Sequence, residues 1–170
     1  MRRAYGSIAE AGLLAVALLW GAAAHAQPKG NPAMPCFRAL ADDPRFANVK
    51  DKVSLSGTNM DEMRRMTTSG ERASAREAPV LAAWKDARAD CHRLETDYFA
   101  SRDARIQAFA LEHFAALQNL IVDLQSGKIT YGDFGRRRIE LYEKLQLNVE
   151  AVRREILPAK LPPTPGSTNK

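Results

Sequence analysis

The sequence predicts an all-α protein: an elongated antiparallel helical hairpin or bundle, preceded by a segment of short helices and stapled by one disulfide. Three observations carry that prediction. No glycine or proline occurs between Pro79 and Gly127, so one long stretch is free of helix breakers. Within it Val80, Trp84, Ala87, Cys91, Leu94 and Tyr98 recur at alternating four- and three-residue steps. Ile106, Ala110, His113, Leu117, Leu120 and Leu124 repeat that spacing, offset by one position. Such a seam belongs to an antiparallel bundle or coiled coil. Finally, residues 124–134 have the composition of a corner between two helices.

Residues 1–26 have the form of a secretory signal peptide. Arg2 and Arg3 make the basic start, residues 13–20 are strongly apolar, and Ala24-His25-Ala26 fits a small-x-small cleavage site. The apolar run at 11–24 is 14 residues, shorter than the roughly 18 a spanning helix needs, so cleavage rather than anchoring is expected. No cysteine stands at the cleavage site to take a lipid. Losing Arg2, Arg3 and Glu10 with this segment leaves 144 residues and takes the formal charge from +5 to +4. That length suits one domain with a modest core.

Residues 27–35, rich in Pro, Gly and Asn, read as a flexible leader. A single helical domain is expected over 36–157. A short helix at 36–41 should bury Cys36, Phe37 and Leu40. Asp42-Asp43-Pro44 then starts another turn, with Phe46 and Val49 facing inward. Residues 54–59 read as a loop, and Thr58 or Asn59 can cap a helix carrying Met60, Met63 and Met66. Ser74-Ala75-Arg76-Glu77 is a capping box, with Pro79 acceptable in the opening turns. The seam offset near Ser101 marks either a break or a stutter. Continuity is favoured, which makes a rod of about 70 Å.

At the corner, Gly127 follows the last apolar-periodic residue, where a left-handed residue closes a helix. Thr130 and Asp133 form a variant capping box, and Ile129 with Phe134 a hydrophobic staple. The final helix carries Leu141, Tyr142, Leu145, Val149, Val152 and Ile156 and should end before Pro158. Residues 158–170, with prolines at 162, 163 and 165, read as an extended or disordered tail. The string Gly-x-Ile-Thr-x-x-Asp-Phe-x-x-Arg-Arg-x-x-Leu at 127–141 resembles the turn of the SHOCT family of short C-terminal helical hairpins. That resemblance implies oligomerisation or docking rather than catalysis. It covers only this stretch, and the second helix runs past the family's usual end.

Charge excludes little by itself. The densest basic cluster, Arg136, Arg137 and Arg138, is followed by Glu140 and Glu143 and reads as a solvated helix face, not a nucleic-acid stripe. Cys36 and Cys91, an even count in an exported chain, predict one structural disulfide worth about 4 kcal/mol in the chain-entropy model.

Motifs for catalysis are lacking. His92 and His113 belong to no recognisable constellation, and Arg88 stands where a haem attachment site would need cysteine. Glu112 and His113 are adjacent, not spaced as in bundle di-iron sites. The sharpest chemical feature is Met60-x-x-Met63-x-x-Met66, whose thioethers share one arc of a helix and would suit Cu(I); packing of a short apolar stripe is the plainer reading.

The preferred function is therefore that of an exported, non-enzymatic helical protein, an interaction, envelope-assembly or chaperone-like module. Its place would be the periplasm of a Gram-negative bacterium, or outside the cell. Its partner would be another protein or a second copy, with no nucleic acid and no stable membrane insertion after cleavage. A client-binding module should leave the seam at residues 84–98 poorly covered. The alternatives are a copper-binding protein using the three methionines and an enzyme, which would need a cleft gathering His92 or His113 with carboxylates.

Overall fold

The computed structural model describes residues 30–159. They form α1 (Ala33–Ala39), α2 (Met60–Arg65), α3 (Ala78–Ala100), α4 (Ala104–Gln125) and α5 (Tyr131–Ala159), with 3-10 turns at Pro44–Phe46 and Met66–Thr68. The predicted signal peptide and residues 160–170 lie outside the described residues. The fold is all-α, and among the described residues no helix is long and apolar enough to cross a membrane.

Helix α4 is the middle of the molecule, with α3 packed along one side and α5 along the other. Its two short connections make each neighbour antiparallel to it. The favoured rod through Ser101 is thus corrected: the chain reverses there. Asp103 rather than Ser101 caps α4, with an extended backbone (φ −158°, ψ 128°) and a carboxylate that accepts from the Arg105 amide at 2.8 Å. The offset in the seam was the trace of this reversal, because two antiparallel helices do not share one continuous stripe.

At the second corner the expected devices are all present. Gly127 takes φ +69°, its amide donates to Leu124 O at 2.9 Å, and the Lys128 amide donates to Asp123 O at 3.0 Å. These are the two bonds of a Schellman ending. Thr130 Oγ1 accepts from the Asp133 amide at 3.0 Å while Asp133 Oδ2 accepts from the Thr130 amide at 3.2 Å, a reciprocal capping box. Ile129 and Phe134 are both buried.

The N-terminal half wraps this corner. The Tyr131 amide donates to Glu71 O at 2.8 Å and the Gly132 amide to Ser69 O at 2.9 Å, and Arg72 pairs with Thr130 as an isolated antiparallel bridge. Gly132 is required by that approach: a Cβ there would lie 2.5 Å from Ser69 O and 2.7 Å from Thr67 O. Upstream, α1 begins three residues before the predicted 36 and takes Pro35 into its first turn, where proline costs no hydrogen bond. Phe37 and Leu40 are buried as expected, but Cys36 is only half-buried. Phe46 and Val49 face inward beyond the Pro44 turn, and Asn59 caps α2 by accepting from the Glu62 amide at 3.1 Å. Glu77 Oε2 accepts from the Ser74 amide at 2.8 Å, completing the reach-back half of the predicted box.

The Cys36–Cys91 disulfide joins α1 to the middle of α3 across a separation of 55 residues, with a Cα–Cα distance of 5.5 Å. Phe46, Val49, Val53 and Leu55 then join Leu81 and Trp84 of α3 and Phe134 of α5 in one core, and the Cα atoms of α3 and α5 nowhere come within 8 Å of each other among the described residues. A smaller cluster of Ile106, Leu145, Val149 and Val152 closes the far end. At the C-terminus α5 continues through Ala159, past the stop expected before Pro158.

Replacing both cysteines by serine should lower unfolding free energy by about 4 kcal/mol, read as a drop in the urea midpoint. Gly132→Ala should cost roughly 1–3 kcal/mol through overpacking, while Gly70→Ala, which meets nothing within 4 Å, should stay within about 0.5 kcal/mol.

Candidate functional site

Residues 54–58 pass between α3 and α5 without regular structure, and Ser54, Leu55 and Ser56 are buried. Buried carbonyls outside a helix or sheet need donors from side chains. Here they come from both flanking helices. Trp84 Nε1 and Arg88 Nη1, from α3, donate to Leu55 O at 3.0 and 3.1 Å, and the same Arg88 nitrogen reaches Ser56 O at 3.0 Å. Arg138, from α5, donates to Ser54 O at 2.5 Å. Gly57, at φ +67°, lies against the Arg138 guanidinium so closely that any Cβ would collide with it.

Arg88 and Arg138 are only 4% exposed, and neither touches a carboxylate among the described residues. The Arg88 guanidinium is stacked over Phe37 at 4.8 Å and near Trp84 at 5.4 Å; Arg138 lies over Trp84 at 5.5 Å. Burial, partly offset by Glu95, pushes Arg88 down to about 10, which leaves it cationic at neutral pH. Arg138 is also pushed down, first by burial and then by the charge of Arg88, against the pull of Glu62.

Beside Arg88 opens a groove of about 240 Å³. Its floor is Arg88, His92 and Glu95, with Ser56, Gly57 and Thr58 at one end. Asn31, with Met34 and Phe37 of α1, lines one side; Tyr142, Leu145, Gln146, Val149 and Arg153 of α5 line another, and Phe99 of α3 and His113 of α4 complete the lining. His92 is held from both sides: Nδ1 lies 3.0 Å from Glu95 Oε2 and Nε2 lies 3.4 Å from Arg88 Nη2. A guanidinium nitrogen can only donate, so Nε2 is the acceptor and Nδ1 carries the proton that goes to Glu95. Burial, more than the opposing Glu95 carboxylate, lowers His92 from its ordinary value. His113 Nδ1 lies 3.2 Å from Leu141 O, and burial with the neighbouring His92 holds His113 down to about 4.

The seam predicted on α3 needs correction below Cys91. Trp84 and Cys91 are buried as predicted and Leu81 is buried too, but Arg88, His92 and Thr96 share the inward face with them, while Leu94 is 41% exposed. Trp84 is wholly covered, so the open seam expected of a client-binding chaperone is absent along most of residues 84–98. Tyr142 likewise turns outward, whereas Leu145, Val149 and Val152 take the seam. The reading of Arg136, Arg137 and Arg138 as a solvated face holds for the first two only; Arg138 is part of the core. Of the three methionines, Met63 and Met66 line one small void with Phe134 and Arg138, and Met60 does not reach it. A guanidinium beside two thioethers is an unfavourable neighbour for a copper ion.

Arg88, Glu95, Arg138, Gly57 and Arg153 escaped sequence reasoning. One signal was available: Arg88, His92 and Glu95 at steps of four and three put three polar groups on one helical face beside the seam. No family model, curated protein or solved structure matches the chain.

Arg138→Ala should cost about 3 kcal/mol, by leaving a cavity and stranding Ser54 O, against less than about 0.5 kcal/mol for exposed Arg137→Ala. Both histidines also make stability depend on pH. Their folded values lie below the ordinary 6.5, so the unfolded chain binds more protons and stability falls as pH drops from about 6.5 toward 4. The slope is at most about 1.4 kcal/mol per pH unit for each histidine. Urea midpoints between pH 7 and pH 5 should show it, and His113→Gln should remove one histidine's share.

Proposed function

We propose that this chain is an exported, non-enzymatic binding module that works through the groove between α1, α3 and α5. The observation that carries this reading is a groove that sets buried, hydrogen-bonded Arg88 and His92 beside apolar side chains of α1 and α5, the composition of a recognition site. Export is supported by the form of residues 1–26 and by the disulfide that fixes α1 as one wall. The periplasm of a Gram-negative cell is the compartment that fits both. The SHOCT-like corner adds a route to self-association, since that family's hairpins are linked to oligomerisation or docking.

One observation favours a second reading, an acid–base enzyme: the groove does gather His92 and His113 with Glu95. Binding is preferred on the state of those groups. Both nitrogens of His92 are engaged, and a base held near 4, as His113 is, takes up a proton poorly at neutral pH.

Native mass spectrometry of the chain recovered from a periplasmic fraction tests the proposal. The expected species begins at Gln27, is two hydrogens lighter than the reduced chain, and carries a non-covalent adduct that Gln146→Glu, at an exposed position of the groove lining, depletes. A copper adduct lost when Met60, Met63 and Met66 become leucine would overturn it, as would retention of residues 1–26.

A further inference from the structure

We infer that the groove takes a small monoanion, a carboxylate carried on a short aliphatic or aromatic body; this rests on the groove being the binding surface proposed above. Three ionisable groups set its charge. Glu95 is occupied by the His92 Nδ1–H at 3.0 Å. Arg88 donates only to neutral acceptors, namely Leu55 O, Ser56 O and His92 Nε2. Arg153 stands exposed at the rim and makes no ion pair among the described residues. With both histidines neutral, the lining carries two positive charges and one negative charge.

A buried guanidinium with no carboxylate in contact is costly, and Glu95, one negative charge shared by a lining that holds both Arg88 and Arg153, offsets its desolvation only in part. Arg138 behind Gly57 aggravates this, since a second cation without a carboxylate in contact lies on the far side of the same loop. An anion entering the groove supplies the missing charge beside Arg88 and meets Arg153 at the rim. The surplus is a single charge, which a carboxylate matches; inorganic phosphate, partly dianionic at pH 7, exceeds it and has no hydrocarbon to set against the apolar part of the lining.

The remaining walls define the body of the ligand. Met34, Phe37, Phe99, Leu145 and Val149 outnumber the polar Asn31, Tyr142 and Gln146 along the rest of the lining, so the group behind the carboxylate is mainly hydrocarbon. The volume of about 240 Å³ lies under the roughly 300–1,000 Å³ of drug-sized sites, which limits that body to a short chain or one ring.

The test is calorimetric titration of the oxidised mature chain at pH 7 with hexanoate and phenylacetate, beside 1-hexanol, 2-phenylethanol and inorganic phosphate. The carboxylates should bind at least tenfold more tightly than their alcohols and than phosphate. Arg153→Gln, at an exposed position, should weaken them about threefold, and Gln146→Glu, which puts a carboxylate on an exposed part of the groove lining, about tenfold. Melting curves without ligand confirm that both variants fold; Arg88 is left intact because it holds the loop. Equal binding of acids and alcohols would overturn the anion assignment while leaving the groove as the binding surface. Tightest binding of phosphate would overturn the carboxylate assignment, and so would no binding of either acid. Carboxylate binding untouched by both substitutions would sink the ligand class and the groove together.

Discussion

Everything in this fold depends on hydrogen bonding a buried loop. Residues 54–58 run through the interior without a helix or strand to satisfy their carbonyls, and the space exists because α3 and α5 do not touch backbone to backbone. Three donors resolve the problem: Trp84 and Arg88 from α3, and Arg138 from α5. Arginine suits the task because its planar fork reaches several acceptors and its stem packs as hydrocarbon. The cost is two desolvated cations, eased by the faces of Phe37, Trp84 and Phe134. With the loop gripped from both sides, α3 and α5 become parts of one core rather than two outer helices on α4.

The same constraint explains how the N-terminal half is arranged. A loop held at 54–58 delivers α2 and the 3-10 turn Met66–Thr68 against the start of α5. There Gly132 and Gly135 leave room for backbone to lie directly on helix. The segment that follows donates and accepts across the corner before Ser74 and Glu77 launch α3. The Gly127 corner, which on sequence alone looks like a free-standing turn, is therefore the base on which the first half of the domain is seated. The disulfide fixes α1 to α3 next to His92, and one turn away Arg88 stacks on Phe37, so the covalent staple and the buried arginine hold the same α1–α3 contact.

Much of this architecture was legible in the residues, and the pattern of what was missed is physical. Local devices read well, because a Schellman glycine, a Thr-x-x-Asp box or an Asn cap is decided within a few residues. The apolar seams of α4 and most of α5 read well too, since burial on one face imposes its period. The reversal at Asp103 was harder. Its cap satisfies one amide, which a stutter in a continuous helix imitates, and the choice is settled only by what α3 and α4 bury against each other. Arg88 and Arg138 were hidden for a different reason. An arginine on a helix is ordinarily solvated, and nothing nearby in sequence announces that a carbonyl more than thirty residues away will need it. The groove inherits that opacity, since its floor is assembled from the same long-range bonds.

That shared origin bears on why a binding reading is preferred to a catalytic one. Groups that hold a structure together are poor candidates for changing protonation during turnover. Arg88 cannot leave its carbonyls without releasing the loop, and His92, caught between Arg88 and Glu95, has no free lone pair to offer a substrate. What such groups provide instead is a fixed electrostatic surface, already oriented before any ligand arrives. The buried cations are a cost the fold carries by itself, and the anion proposed for the groove would relieve part of it. Stability and recognition then draw on one set of residues. The chain should resist substitution most at the places where it binds, even though none of those places is a motif.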